Sequence, residues 1–369
     1  MNRLLSIALL SVACATPLLS ARGQAATARK PGASKLRPVT AYVSVNNQER
    51  LVTFVDRTRD TVSFVLGERP VGARQTIEIA QFDAVFFDLG KIDWGELHMA
   101  VRRQQWTRAI RLLAPFITPL LPYLDLPENN GVEYALSMGD YMMRAANLSL
   151  QAARTPKQRE AAEEQYRRAY TVLRRVQRAE WSSAGQIADL KSLQCLLALD
   201  RPQAARKLFQ EAIEPNPGDR AYGLYWLIRA QLDLHSEDFR AAMEAAVKSL
   251  CFENKDIDTF PDALMISARC YEELLEWYRA RDVYYEVARI FPKTDWSRAA
   301  RARLQFIMDK ELTKAEEKSA VETVFFGLQE DMNKLVRDLL AEQDKDEEIP
   351  KPSAEAADPD EDADLKVFD

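Results

Sequence analysis

Few residues in this sequence are of a type and spacing that support catalysis or metal binding. Histidine occurs only as His98 and His235, which is too few for a histidine-rich metal cluster. The sequence has no Cys-x-x-Cys pair, no His-Glu-x-x-His motif, no phosphate-binding glycine-rich loop and no Gly-x-Ser-x-Gly turn. Glycine is scarce, with 12 in 369 residues. We therefore predict a protein that is not an enzyme and has no metal or cofactor.

Two groups of carboxylates were considered for chemistry. Glu272 and Glu273 are adjacent on a predicted helix, and paired carboxylates can perform acid–base catalysis. The run from Asp358 to Asp362 is acidic, but it lacks the glycine and the closing glutamate of a calcium-binding loop. We interpret the first pair as part of a solvated helix face and the second group as a weak calcium binder at best.

The first 25 residues have the order of a secretory signal peptide. A positive charge at Arg3 is followed by an apolar run from Leu4 to Leu19 and then by small residues. The run is shorter than the roughly 20 residues of a membrane span. We therefore expect export to the periplasm and removal of residues 1–25. The segment ending at Cys14 loosely resembles a bacterial lipoprotein box, and membrane association is expected only if the N-terminus is retained or Cys14 is lipidated.

Three cysteines remain outside the leader: Cys195, Cys251 and Cys270. An odd number in a chain long enough to bury its own core does not indicate a disulfide framework. Each lies in an apolar helical pattern, which predicts free, buried thiols. A Cys251–Cys270 disulfide stays open as the alternative if export reaches an oxidising compartment.

The C-terminal residues 342–369 hold most of the acidic charge. They contain twelve Asp or Glu and three Lys, a net charge of −9, whereas the whole chain carries −6. Residues 1–341 therefore carry a net charge of +3, which is too small to indicate nucleic-acid binding. With three prolines and few large apolar residues, this acidic tail is predicted to be disordered. Its possible roles are solubility, docking or weak cation binding.

Between the two ends, the chain changes from a strand pattern to a helix pattern. After a flexible lead-in at 26–38, residues 39–90 alternate with a period of two and predict a small all-β module. The strands are expected near 39–45, 51–56, 61–66, 76–80 and 84–87, with Asn46-Asn47 as a turn. Five strands in about fifty residues form a small barrel or a meander, and this arrangement resembles an SH3-like or Sm-like module.

From about residue 91 the apolar residues recur at spacings of three and four, which predicts helices. Prolines interrupt this pattern, among them a cluster from Pro115 to Pro127, and others at Pro156, Pro202, Pro215, Pro261 and Pro292. The segments between them are long enough for one helix or a pair. The sequence therefore predicts a mostly α protein whose β module precedes the helices.

The helical region contains a repeated pattern. Its clearest unit, 261–292, carries Leu264, Ala268, Tyr271, Ala280, Tyr284, Val287 and Pro292. This unit resembles the tetratricopeptide repeat (TPR). A partial copy lies 38 residues earlier, another lies 37 residues before that one, and a further one lies around 97–116. The resemblance implies an α-solenoid of TPR-like helical hairpins over 91–310, closed by capping helices at 311–341.

The resemblance also implies a binding groove on the concave side of the repeats. Transferred position by position, its polar row is His98, Gln194, Gln231 and Arg269, and its apolar row is Trp94, Leu190, Leu227 and Met265. Such rows suit an extended or helical peptide, although solvated polar residues beside a core are the alternative. The expected function is an exported, non-catalytic scaffold or adaptor that binds a protein partner, presumed to be an envelope protein.

Two other functions stay open at this point. The repeat body, with its last repeat ending in Phe291-Pro292, looks somewhat like outer-membrane assembly lipoproteins, which implies a membrane-anchored component of envelope assembly. A cell-wall or glycan-binding protein, or a hydrolase, would act through the β module, with Trp94, Phe82, Phe86 and Phe87 stacking on sugars. Packing of these aromatics between the module and the first repeat is the simpler alternative.

Overall fold

In the residues that the structure describes, a five-stranded antiparallel sheet is followed by twelve α-helices. The computed structural model describes residues 37–69, 71–90, 92–252, 259–313 and 332–341. The predictions for the signal peptide, for Cys14, for most of the lead-in and for the acidic tail lie outside these residues. Of the predicted capping region, only 311–313 and 332–341 are described.

The strands confirm the small all-β module. They are β1 (Val39–Val45), β2 (Gln48–Arg57), β3 (Thr61–Leu66), β4 (Arg74–Glu78) and β5 (Phe82–Phe87). The sheet order is β4-β3-β2-β1-β5, with every pair antiparallel. Asn46 and Asn47 both have positive φ, 54° and 58°. These angles are those of a two-residue type I′ hairpin turn, for which asparagine is well suited.

The sheet buries the face that the period of two predicts. Val39, Ala41 and Val43 of β1 are at most 5% exposed, whereas Tyr42 between them is 51% exposed. The boundary of β4 differs from the expectation, because a short 3-10 turn at Ile79–Gln81 separates it from β5. This turn lets the chain cross from one edge of the sheet to the other.

The helices follow with short connections. They are α1 (Trp94–Arg102), α2 (Trp106–Ile117), α3 (Gly131–Ala152), α4 (Pro156–Val176), α5 (Ser183–Ala198), α6 (Pro202–Glu211), α7 (Tyr222–His235), α8 (Phe239–Phe252), α9 (Thr259–Glu273), α10 (Trp277–Ile290), α11 (Asp295–Asp309) and α12 (332–341). A 3-10 segment at Thr118–Tyr123 follows α2.

Two prolines lie at helix boundaries as expected, and one lies inside a helix instead of in a connection. Pro156 and Pro202 are the first residues of α4 and α6, where a missing N–H costs nothing. Thr155 caps α4 through a reciprocal capping box with Gln158. Pro115, predicted to lie in a connection, is inside α2. It occupies the last turn, after which the helix tightens into the 3-10 segment.

Four helix pairs are joined by the same turn. In each, the amide before the second helix donates to the carbonyl five residues earlier: Gln105 to Ala100, Arg201 to Leu196, Asp238 to Asp233 and Glu276 to Tyr271. The residue before each donor has positive φ: Gln104, Asp200, Glu237 and Leu275. This is the Schellman pattern of helix C-termini. The last three copies are 37 and 38 residues apart, which are the intervals read from the sequence.

An alanine recurs four residues after each of these turn donors. Ala109, Ala205, Ala242 and Ala280 are all 0% exposed. Each donates its backbone N–H to the carbonyl of the turn donor, as in a first helical turn. A methyl group at this position lets the second helix of each pair approach its neighbour closely.

Helix contacts show two kinds of neighbour. Successive helices pack together, and in addition α3 contacts α5, α5 contacts α7, α7 contacts α9 and α9 contacts α11. Among the described residues, α4, α6, α8 and α10 make no contacts of similar extent with one another. The odd-numbered helices from α3 to α11 therefore form a continuous row, and α4, α6, α8 and α10 lie apart from one another against it.

The sheet is joined to the helices through residues near α2 and α3. Phe54 of β2 stacks on Tyr123, with ring centroids 5.0 Å apart. The side-chain amide of Asn130 accepts from the Phe87 N–H at 2.8 Å and donates to the Phe87 carbonyl at 3.1 Å. This amide pairs with edge strand β5 as a neighbouring strand would, and so fixes the sheet to the start of α3.

Candidate partner-binding surfaces

The structure places the four residues of the predicted polar row on separate helices, three of which are successive members of the helix row. Gln194 lies on α5, Gln231 on α7 and Arg269 on α9, and these helices contact one another in that order. Arg269 is exposed, whereas the two glutamines are half-buried. His98 is exposed on α1, which lies nearer the N-terminus and packs mainly on α2.

The predicted apolar row is corrected by the structure. Leu227 is 1% exposed and Leu190 is 2% exposed, so both belong to the core between helices. Met265 is partly buried and packs against the C-terminal core cluster that contains Tyr284. Trp94 packs on Tyr134, with ring centroids 5.1 Å apart. Leu190 and Leu227 therefore serve helix packing, because the neighbouring helices already cover them, whereas Trp94 is still 38% exposed.

One polar atom in the row has no partner. The Oε1 atom of Gln231 is buried and accepts no hydrogen bond. Leaving a buried acceptor unpaired costs about 1–3 kcal/mol, so this atom lowers the stability of the fold. The Nε1 atom of Trp226, on the same helix, is likewise buried without an acceptor.

Charges on the odd-numbered helices are largely paired with one another. Asp140 of α3 accepts from Arg144 at 2.8 Å and also from Lys191 of α5. Burial alone would raise the pKa of Asp140, but Lys191 and Arg144 outweigh it and lower the pKa to about 2. Glu272 of α9 receives two bonds from Arg303 of α11, at 2.9 and 2.7 Å. These pairs hold successive odd-numbered helices together.

A further ion pair joins α3 to the residue just before α7, past the intervening helix α5. Arg220, just before α7, donates to both oxygens of Glu133 on α3, at 2.9 and 3.1 Å. The helix between them in the row, α5, contacts both α3 and α7. Glu133 is therefore already paired with one of the chain's own cations.

An open groove lies on the other side of the row, between α4 and α6. Its volume is about 600 Å³. Its apolar lining comes from Tyr170 of α4, Leu196 and Leu199 at the end of α5, and Ala204 and Leu208 of α6. We call this the α4–α6 groove. It exists because α4 and α6 do not pack closely together.

The rim of the α4–α6 groove is mainly cationic. Arg167, Arg201 and Lys207 line it, against the single carboxylate of Glu211. Arg167 is paired with Glu164 at 3.0 Å. Arg201 and Lys207 are exposed, and no salt bridge joins either one to another described residue. Two cations are thus available to an acidic ligand.

Sequence reasoning missed this groove. Its two walls belong to helices that are separated along the chain by the whole of α5, and the repeat pattern assigns binding to the other side. The local signal is modest: α6 has an apolar stripe containing Leu208 next to the uncompensated cations Arg201 and Lys207. Nothing in one helix alone indicates that α4 stands away from it.

Two of the four aromatic residues proposed for sugar stacking are in the core. Phe82 and Phe87 are 4% and 0% exposed, which corrects their assignment to a surface. Phe86 is 61% exposed and lies directly opposite Tyr42 on the neighbouring strand. The exposed aromatic surface of the sheet is therefore this cross-strand pair.

The remaining chemical groups do not form a reactive centre in the part of the chain described. Cys195 and Cys270 are buried free thiols, and Cys251, predicted to be buried, is exposed at the end of α8 and also free. Burial raises the pKa of the Cys195 thiol to about 12. Within the described ranges, no three His, Cys, Asp or Glu residues are grouped as metal ligands. None of the described helices has the length and apolar character needed to cross a membrane.

Comparison with known proteins returns no family model that matches the chain, and no curated protein matches it in sequence.

Proposed function

We propose that this protein is an exported, non-catalytic helical-repeat adaptor that holds a segment of a partner protein in the α4–α6 groove. The observation that carries the proposal is the open groove itself, with an apolar lining and two uncompensated cations, Arg201 and Lys207. Grooves between helices accept amphipathic helices or extended peptides, with apolar anchors filling the groove and polar groups fixing the register.

The repeat architecture is part of the same proposal. The Schellman turn recurs at 37 and 38 residues, and the buried alanine that follows it recurs with the same intervals. A row of alternate helices with separated outer helices is what stacking of TPR-like hairpins produces. Such arrays have large surfaces and few reactive groups, which suits binding better than catalysis.

The chemistry of the groove limits the partner. Its lining takes a few apolar side chains, since a volume of about 600 Å³ lies within the usual range of binding pockets. Its rim favours carboxylates over cations, because Glu211 is its only anion. We infer that the bound segment combines apolar and acidic side chains.

The polar row is a second candidate for the binding surface. It is favoured by the packing of α5 on α7 and of α7 on α9, which brings Gln194, Gln231 and Arg269 onto successive helices. The exposed guanidinium of Arg269 lies on the neighbouring helix. In this version the groove has no role, and the partner binds along α5, α7 and α9.

The signal-peptide pattern supports a periplasmic location for this adaptor, with an envelope protein as its partner. The β module would supply a second contact through Tyr42 and Phe86. A membrane-anchored envelope-assembly role follows instead if Cys14 carries lipid. A cell-wall role through the β module would require that Tyr42 and Phe86 bind glycan.

The test is site-specific photo-cross-linking in the native cell envelope. A photoreactive residue at Ala204, in the groove, is expected to link to a partner segment rich in apolar and acidic residues. The double variant Arg201→Glu/Lys207→Glu should reduce this linking about tenfold, since two favourable ion pairs become repulsive. The matched double variant Arg240→Glu/Arg289→Glu makes the same charge change on exposed parts of α8 and α10 and should leave it unchanged.

The outcomes separate the two surfaces. In one outcome, partner linking is lost in Gln231→Ala/Arg269→Ala and kept in Arg201→Glu/Lys207→Glu. This outcome assigns partner binding to the polar row and refutes binding in the α4–α6 groove. Linking only through a photoreactive residue at Phe86 moves the function to the β module. Circular dichroism and urea unfolding of each variant show whether the fold is retained.

A further inference from the structure

We propose that the C-terminal segment 358–369 of this chain binds in the α4–α6 groove and competes there with the partner; this inference rests on the proposed function of the groove. The segment belongs to the acidic tail, so the inference assigns one of the roles left open for that tail. It also names the chemistry that the groove selects.

The groove presents two features that a ligand must match. Leu196, Leu199, Leu208 and Tyr170 form an apolar lining, and all are at least half-buried. At the rim, Arg201 and Lys207 are exposed and pair with no carboxylate among the described residues. A matching segment needs apolar side chains next to a cluster of negative charges.

The segment 358–369 has this composition in the required order. Its first part, 358–364, contains five Asp or Glu in seven residues, and a group of large apolar residues follows at Leu365, Val367 and Phe368. Elsewhere in the acidic tail the only large apolar residue is Ile349. The tail therefore joins strong negative charge to apolar anchors in one place.

The segment is long enough to reach the groove. Helix α12 packs on α9–α11 through Val336, and the contacts α6–α7, α7–α9 and α9–α11 lead from there to the groove. Four steps between packed helices, each of about 10 Å, give a distance of about 40 Å. The sixteen residues from 342 to 357 span about 55 Å when extended.

A tethered ligand does not need high intrinsic affinity. Exposed ion pairs contribute little individually, but a tether of about sixteen residues raises the effective concentration of the segment to the millimolar range. A weakly bound segment of the same chain then occupies the groove until a partner of higher affinity displaces it. The electrostatic part of this binding weakens at high salt because exposed charges are screened.

The experiment uses the full chain with a photoreactive residue in place of Phe368. Cross-links are expected to residues of α4 and α6, and an equal mixture of isotopically labelled and unlabelled protein should give links within one copy. Arg201→Glu/Lys207→Glu should lower their yield about tenfold, and Arg240→Glu/Arg289→Glu should not. Adding Asp360→Lys/Asp362→Lys to the groove variant should restore the yield, because the charges are then exchanged across the contact.

The results distinguish this inference from the proposed function. If partner linking through Ala204 depends on the groove while Phe368 links elsewhere, the inference is overturned and the adaptor function stands. If neither partner linking nor Phe368 linking depends on Arg201 and Lys207, the proposed function of the groove and this inference are both overturned. Links between labelled and unlabelled copies would refute binding within one chain. When the inference is right, Asp360→Lys/Asp362→Lys alone raises partner linking through Ala204.

Discussion

Arg57 and Asp125 form a two-pronged ion pair that joins the sheet to the helices. Nη1 lies 2.5 Å from Oδ1, and Nη2 lies 2.5 Å from Oδ2. Nη1 also donates to the carbonyl of Pro122. The two side chains are only 12% and 24% exposed. This pair ties the end of β2 to the connection between α2 and α3, close to the stacked rings of Phe54 and Tyr123.

Removing one partner of this pair should destabilise the protein strongly. In Asp125→Ala the guanidinium of Arg57 stays largely buried without its counter-ion, which should cost about 3 kcal/mol. Urea unfolding measures the change. The control is Arg74→Ala, since the Arg74–Asp56 pair is 3.2 Å long but more than half exposed. It should cost less than about 1 kcal/mol. Equal losses would show that Arg57–Asp125 is not a structural link.

Removing the hydroxyl group of Tyr123 should stabilise the protein. This hydroxyl is buried and has no hydrogen-bond partner, and burial raises its pKa to about 12. Tyr123→Phe removes the unpaired hydroxyl but keeps the ring on Phe54, so stability should rise by up to about 1 kcal/mol. Asn130→Ala, which leaves the backbone of Phe87 unpaired, should lower it by about 2 kcal/mol. A marked loss in Tyr123→Phe would reveal a hydrogen bond that forms in solution.

Asp140 should make stability depend on pH in acid. Its pKa is about 2 in the fold and about 3.9 in an unfolded chain. The unfolded state therefore binds the proton more readily, so the stabilisation is present above pH 4 and is lost as pH falls towards 2. The contribution is about 2 kcal/mol. Asp140→Asn should lose it at pH 7 and flatten the curve between pH 4 and 2. An unchanged acid-unfolding curve would contradict the pairing with Lys191 and Arg144.

Gly185 should tolerate no side chain. A Cβ atom there would lie 2.4 Å from the carbonyl oxygen of Ala179, and a backbone atom cannot move aside cheaply. Gly185→Ala should therefore cost about 2–3 kcal/mol. Gly95 in α1 is the control, because its nearest contact would be 3.4 Å away. Gly95→Ala should gain about 0.5–1 kcal/mol through helix propensity. Thermal unfolding of both variants tests the difference.

Local signals in the sequence were enough to predict several elements. The turn at Asn46-Asn47 follows from the tolerance of asparagine for positive φ, and the start of α6 follows from Pro202. Ala280 belongs to the repeated pattern read from the sequence, and it is fully buried. Each of these features depends on residues within one turn or one hairpin, so the chain encodes it over a short distance.

The binding surfaces depended on contacts between distant residues. Leu227 has the spacing of a groove residue, but the helices packed around α7 bury it to 1% exposure. Tyr170 and Leu208 line the same groove only because α5 lies between their two helices and keeps them apart. The Arg57–Asp125 pair joins residues 68 positions apart. The amino-acid sequence by itself determined the small sheet, the helices and the period of their turns, because these follow from short-range spacing. Only the tertiary structure decided which side of the helix row is open, because exposure depends on neighbours that are distant in the chain.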